Sequence, residues 1–170
     1  MEFKNVAKER YSCRHFSNKE VEEDKIKAIL EIARWAPTAV NRQPFKIFVM
    51  NSQTAKEKVR QSTNCAYDAD TFLIVGYQEE KAWVREFDQR NFADVDGSII
   101  ATHLMLAIHD FGLATTWVGH FDAPFLRKEF PEMKEFELIA LFPIGYPAKD
   151  GLPSPRHYQR KSIEDIVEVL

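Results

Sequence analysis

Arg10, Ser12 and Arg14 stand at alternate positions in Glu9-Arg-Tyr-Ser-Cys-Arg-His-Phe16. Arginine presents a planar fork of donors matched to phosphate oxygens, and a serine hydroxyl adds a neutral donor. In an extended stretch the three side chains share one face, because side chains alternate along the backbone. An anion gripped by two guanidiniums and a hydroxyl is the chemistry on offer; a solvated basic patch is the plainer reading of the same residues. Near the other end, Arg156-His-Tyr-Gln-Arg-Lys161 carries Arg160 and Lys161. Folding could bring either beside Arg10 and Arg14 as a three-cation cage. Between these ends lies Ala36-Pro-Thr-Ala-Val-Asn-Arg-Gln-Pro-Phe45, a polar loop bracketed by prolines and running into an apolar stretch. Thr38 and Asn41 offer side-chain donors and acceptors, and irregular backbone leaves N–H groups free. That suits the polar edge of a heterocycle, though such residues also occur in ordinary turns. Hook and loop together are what a phosphate-tailed aromatic cofactor needs.

Other chemistries are poorly served. The six glycines, at 76, 97, 112, 119, 145 and 151, fall in neither G-x-G-x-x-G nor P-loop spacing. No serine sits in a nucleophile elbow. His103 and His109 are six residues apart and do not share a helix face as a metal pair would; His103 reads as a satisfied core histidine. Cys13, between arginines, could be a thiolate, but no resolving partner stands near it. Cys13 and Cys65 have no paired spacing, which argues against a zinc knuckle or disulfide framework and suits a reducing compartment. A net charge of -3 gives no general attraction to nucleic acid or anionic lipid. The N-terminus lacks a secretory apolar core, and the longest apolar tract, 98–111, is broken by Thr102, His103, His109 and Asp110. The expectation is a cytoplasmic protein with neither nucleic-acid nor membrane partner.

The elements that must position these residues follow from periodicity. With 170 residues, 45% hydrophobic and 29% charged, the chain fits a single domain over 1–170 with a core of its own. Residues 2–10 read as a short helix. A helix from Glu22 to about Trp35 places Ile26, Ile29, Leu30, Ile32 and Ala33 on one stripe, and Pro37 stops it. Phe45–Met50 and Thr71–Tyr77 read as strands, the second apolar enough to be covered on both faces. A polar helix spans 52–62, capped by Asn51 or Ser52. Residues 79–92 read as a lid or surface helix, in which Trp83, Phe87 and Phe92, with Phe121, could line a substrate pocket or simply pack. A long helix follows Asp96-Gly97 and closes at Gly112 as a left-handed cap. Ala114–Val118 and Phe136–Phe142 read as strands, with a short helix from Pro124 between them. The tail from Pro147 is extended and ends in a helix over 163–169 capped by Ser162. Strands separated by helices give an α+β layered domain with one central sheet. The long helix is apolar nearly all round, so a second subunit is expected to supply part of its cover.

With these residues in view, the chain resembles the nitroreductase family of FMN-dependent oxidoreductases. The likeness runs through Arg10–Phe16, Ala36–Pro44, Asp96-Gly97 with its helix, Gly112–Gly119, Ile144–Pro147 and Arg160–Val167. No segment is distinctive alone; their order is. The resemblance implies a three-layer α+β fold with a mainly antiparallel central sheet flanked by helices, in an intertwined homodimer with FMN at the interface. It implies NADH or NADPH as electron donor and nitroaromatic, quinone or related small aromatic acceptors, reduced in ping-pong order. By the same resemblance, Arg10, Ser12 and Arg14 bind the cofactor, with Tyr11 lending backbone and Arg14 near the ring edge where reduction places negative charge. Pro37, Thr38, Ala39 and Asn41 form the loop that reaches across from the other subunit. Trp117, Val118 and Gly119 pass near the ring, and Arg160 with Lys161 forms a C-terminal phosphate clamp. No side chain is implied as a catalytic acid or base. Tyr158 stands where many relatives carry a second cation, Ala39 where a serine is common, and Asn64 is the nearest match to a further polar contact. Reductive dehalogenation or flavin fragmentation on the same scaffold, a non-enzymatic FMN carrier or sensor, and a plain interaction module are the alternatives.

Overall fold

Strand β2 (Thr71–Tyr77) is the centre of the molecule. In a computed structural model describing residues 2–170, Phe72 to Gly76 are all buried. Successive side chains of a strand point to opposite faces. Leu73 and Val75 accordingly enter one hydrophobic core and Phe72 and Ile74 the other. Such an unbroken apolar run is common in parallel sheets, yet here every strand pairing is antiparallel. What the run records is cover on both faces, not strand direction.

β2 pairs with β1 (Phe45–Met50) on one side and β4 (Glu137–Gly145) on the other, and the two-residue β3 (Ala114–Thr115) completes the order β1-β2-β4-β3. One face carries α2 (Glu23–Ala33) and α4 (Ala93–Asp110), whose Ile29, Ile100, Leu104 and Ile108 are fully buried in the first core. The other carries α3 (Gln53–Ser62) and α5 (Ala123–Glu129), supplying Val59 and Leu126 to the second. α1 (Phe3–Glu9) lies at the N-terminus. The result is helix–sheet–helix, as the α+β expectation requires. The local signals hold too: Ser52 Oγ accepts from Ala55 N at 3.2 Å, and Gly112, at φ +74°, lets Leu113 N donate back to Ile108 O at 3.1 Å. That is the Schellman closure, whose left-handed position only glycine takes freely.

Four expectations are corrected. The strand expected over Ala114–Val118 has only two ladder residues, although Val118 pairs again with Leu141 through bonds of 2.9 and 3.0 Å. The common register places Thr116 opposite Pro143, which has no N–H to give the ladder. The long helix begins at Ala93, before Asp96-Gly97, because Asn91 Oδ1 accepts from Ala93 N at 2.8 Å and starts the turn early. Residues 79–92 are not a helix beyond a single 3₁₀ turn at Glu79–Lys81. They fold into a hairpin, with Val84 bridged to Asn91, Arg85 paired to Asp88, and Phe87 exposed at its tip. Trp83 packs against Phe92 at 5.2 Å while Phe121 joins the second core, so the four aromatics do not form one pocket. Finally, the tail has no terminal helix. Ser162 Oγ does accept from Asp165 N and Val167 N donates to Ile163 O, but this makes one turn only. Residues 160–170 are exposed throughout, and so short a helix is marginal in water without packing.

Candidate functional site

Arg10 leaves α1 with extended backbone (φ -61°, ψ 138°), and the segment after it runs beside the sheet edge. Ser12 bridges Thr115, Cys13 N donates to Thr115 O at 3.0 Å, and Phe16 bridges Pro147. Alternation then sorts the side chains: Cys13 is wholly buried, while Arg10, Ser12 and Arg14 line one cavity of about 360 Å³. Burial pushes the Cys13 thiol up, with its Sγ donating to His15 O. That removes the thiolate reading, since a raised, sealed thiol is not a nucleophile.

The C-terminal tail forms the opposite wall. Tyr11 donates its hydroxyl to Gly151 O. A Cβ on Gly151 would lie 2.6 Å from His15 O, so glycine permits the tail to lie flat on the N-terminal segment. Beyond it, Ser154 Oγ accepts from Arg156 N and opens a 3₁₀ turn over Pro155–Tyr158. His157 Nε2 donates to Lys8 O at 3.1 Å, and its ring meets Tyr11 and Tyr158 edge-on. Ser154, Arg156, His157 and Arg160 thereby complete the cavity.

Four guanidiniums therefore face one space, and among the described residues no carboxylate lines it. Arg10 is held below its ordinary pKa by burial first and by Arg160 second. Its Nε is buried with no hydrogen-bond partner among the described residues. Like charges gathered without a counter-charge repel, and unpaired buried donors are unfavourable. An anion with several acceptor oxygens answers the repulsion among the four cations.

A line of contacts leads out of the cavity. Arg14 sits 6.0 Å from the centre of the Tyr67 ring. Tyr67 adjoins Cys65, whose N–H donates to Thr63 Oγ1; Thr63 in turn donates to His120 O, beside Gly119. Asn64 lies on this same turn, its Oδ1 accepting from Cys65 Sγ. These contacts run from the arginine cavity toward the turn that carries Gly119.

Of the residues singled out in the sequence, Arg10, Ser12, Arg14 and Arg160 are brought together and Tyr11 buttresses them. Lys161 is exposed and does not line the cavity. Trp117 packs edge-on against Phe142 at 5.5 Å, and Val118 is buried in its pairing with Leu141. Gly119 is exposed beside them. Pro37, Thr38, Ala39 and Asn41 stand elsewhere on the same chain, away from the arginine cavity. Their loop has Val40, Asn41 and Gln43 at φ of +44°, +56° and +52°. His103 is satisfied, through Nδ1 to Ile99 O at 3.1 Å, but half-buried and not a core residue. Sequence reasoning missed Arg156 and His157 as wall residues. Their spacing to Arg160 was visible, but the 3₁₀ turn that aims Arg156 and Arg160 together was not. Asp96 was also missed: it is buried, and its Oδ1 accepts from Ala39 N at 2.9 Å.

Comparison with known proteins bears on the fold and the family. A family model described as the nitroreductase family matches residues 7–70 and 64–146. A solved nitroreductase family protein from Clostridium difficile 630 is 36% identical, with 99% of this chain and 98% of that one covered at a TM-score of 0.90. A structure from Exiguobacterium sibiricum 255-15 in complex with FMN shares the fold at a TM-score of 0.86, with 19% identity over 100% of this chain and 98% of that one. The NADH dehydrogenase of Thermus thermophilus is 25% identical over 188 aligned residues, covering 92% of each chain. The family model spans most of the chain, from the arginine hook to the end of β4, and on that ground the chain belongs to the nitroreductase family.

Proposed function

We propose that this chain is an NAD(P)H-dependent flavin oxidoreductase that grips FMN by its phosphate in the arginine cavity. The observation that carries the reading is the carboxylate-free cluster of Arg10, Arg14, Arg156 and Arg160, built from both ends of the chain. A phosphate monoester carries close to two negative charges near neutrality and offers acceptor oxygens to bidentate forks. The donor set fits that group, Ser12 adding a neutral donor and Tyr11 fixing the wall on which it rests.

When bound, FMN would supply the redox chemistry, a two-electron relay between NADH or NADPH and a nitroaromatic, quinone or related small aromatic acceptor in ping-pong order. The chain's part is binding, orientation and charge. Arg14, on the cavity wall beside Tyr67, is assigned to favour negative charge at the ring edge. Trp117, Val118 and Gly119 are assigned to the ring side of the site, where Val118, its N–H and C=O both bonded to Leu141, contributes packing and not free backbone, and Lys161 adds positive potential beside Arg160. Pro37, Thr38, Ala39 and Asn41 serve the ring edge of the neighbouring subunit in a cytoplasmic homodimer, which accounts for their distance from the cavity within one chain. The incomplete cover of α4 supports that assembly: Thr102 is exposed, and Ile99 and His103 are only half-buried. Among the described residues no helix is long and apolar enough to cross a membrane.

The test is direct. The purified protein is titrated with FMN, its visible spectrum recorded, and NADH or NADPH added without oxygen. Bleaching, followed by turnover of a nitroaromatic or a quinone, is the expected result. A protein that binds no FMN defeats the reading; one that binds FMN but is bleached by neither donor is a carrier or sensor instead.

A further inference from the structure

Among the described residues Asp96 is the one buried carboxylate, at 1% exposure. It lies in the first turn of α4, where the helix end favours negative charge. One oxygen accepts from Ala39 N; the other is buried and has no partner among the described residues. The residue it reaches opens a loop that the backbone does not favour. Val40, Asn41 and Gln43 all take left-handed φ, and a β-branched valine at +44° is unfavourable there. Such geometry persists only where neighbours over-determine it. Here Gln43 N donates to Thr38 Oγ1 at 3.0 Å, and Gln43 Nε2 to Asn41 Oδ1 at 3.1 Å. Both of those bonds are exposed and internal to the loop. From outside it, Gln78 N holds Pro44 O at 2.8 Å at the far end, leaving Asp96 to hold the near end.

We propose that Asp96 is a positioning residue, whose carboxylate on the buried helix α4 fixes Ala39 N–H and so holds Thr38 and Asn41 in the posture that meets the flavin ring edge. The inference rests on the flavin reading above. A charge-assisted hydrogen bond is roughly twice as strong as a neutral one, which suits a contact that must hold a strained loop. Asp96→Asn keeps an acceptor for Ala39 N–H without the charge, and Asp96→Ala removes both.

The experiment compares wild type, Asp96→Asn and Asp96→Ala by FMN titration, by the absorption envelope of the bound flavin and by steady-state kinetics with NADH. Asp96→Ala is expected to weaken FMN binding about tenfold, the scale of one charged hydrogen bond, and to alter the flavin envelope. Asp96→Asn is expected to fall between. A merely structural aspartate would lower the thermal midpoint while leaving the affinity and spectrum of the folded fraction unchanged, and that result overturns the proposal. So does Asp96→Ala binding within twofold of wild type, or Asp96→Asn being as impaired as Asp96→Ala. Should Asp96→Ala not fold, hydrogen exchange on the wild-type apo protein decides: the Ala39 amide is expected to exchange slowly beside a fast Val40, and fast exchange at Ala39 sinks the idea. If wild type binds no FMN, the flavin reading fails, while the exchange at Ala39 still reports separately on the Asp96 contact.

Discussion

Arg160→Gln separates an anion site from an ordinary basic surface. Arg160 shares with three other arginines a cavity that no carboxylate lines among the described residues, and it contributes to lowering the Arg10 pKa. Its own bonds are modest: Nη1 donates to Gln159 O at 2.7 Å and, at the limit of 3.5 Å, to Arg156 O. Removing its charge relieves repulsion worth on the order of 0.5–1 kcal/mol in a partly exposed setting. The apo protein is therefore expected to be as stable as wild type or slightly more so. The liganded state loses a charge-assisted bond to phosphate, about 1.5–2 kcal/mol after discounting for exposure, or roughly 10- to 30-fold in FMN affinity. The opposite signs are the diagnostic, since a structural arginine would lower both. Fluorescence titration with FMN and with riboflavin, which lacks the phosphate, isolates the effect. The variant should lose affinity for FMN and keep that for riboflavin, and raising salt should narrow the wild-type advantage. Equal losses for both ligands, or an apo protein destabilised by more than about 1 kcal/mol, would refute the assignment of Arg160 to the phosphate.

Two further predictions come from the same neighbourhood. Gly151→Ala drives a Cβ into His15 O at 2.6 Å and Ala148 N and O at 3.1 Å; all three are backbone atoms, so the tail must lift. The expected cost is about 1–3 kcal/mol, read as a lower thermal midpoint together with weaker FMN binding, and an unchanged midpoint argues that the tail is not docked on residues 11–15. His109 has its pKa lowered, chiefly by burial, and its Nε2 has no partner among the described residues. The unfolded chain therefore binds this proton first as pH falls. Stability from His109 is intact above its ordinary pKa of 6.5 and declines as pH drops below it toward the lower folded value. Thermal midpoints between pH 7.5 and 5 should fall more steeply in wild type than in His109→Gln, and parallel curves would contradict the burial argument.

The sequence by itself determined whatever depends on neighbours along the chain. A helical apolar stripe placed α2, apolar strand-like runs placed β1 and β2, and a polar stretch behind a capping residue placed α3, all nearly to the residue. Ser52 and Gly112 marked a helix start and a helix stop because capping is local chemistry. The alternation of Arg10, Ser12 and Arg14 was legible for the same reason, once the stretch was read as extended, whereas the burial of Cys13 between them was not. Where a partner distant in sequence decides, the reading stopped. Pro143 cuts β3 short from across the sheet, and Asn91 starts α4 ahead of the more obvious Asp96-Gly97. The terminal segment had a helical cap and an apolar pattern, yet residues 160–170 are exposed, and among the described residues nothing packs on them to offset the entropy of ordering. The cavity itself belongs wholly to tertiary structure. Arg10 and Arg160 are 150 residues apart, and only the docking of Gly151 against His15 and of His157 against Lys8 sets their charges in one space. The bond from Asp96 to Ala39 is of the same kind, since two residues 57 apart meet only after helix and sheet have packed.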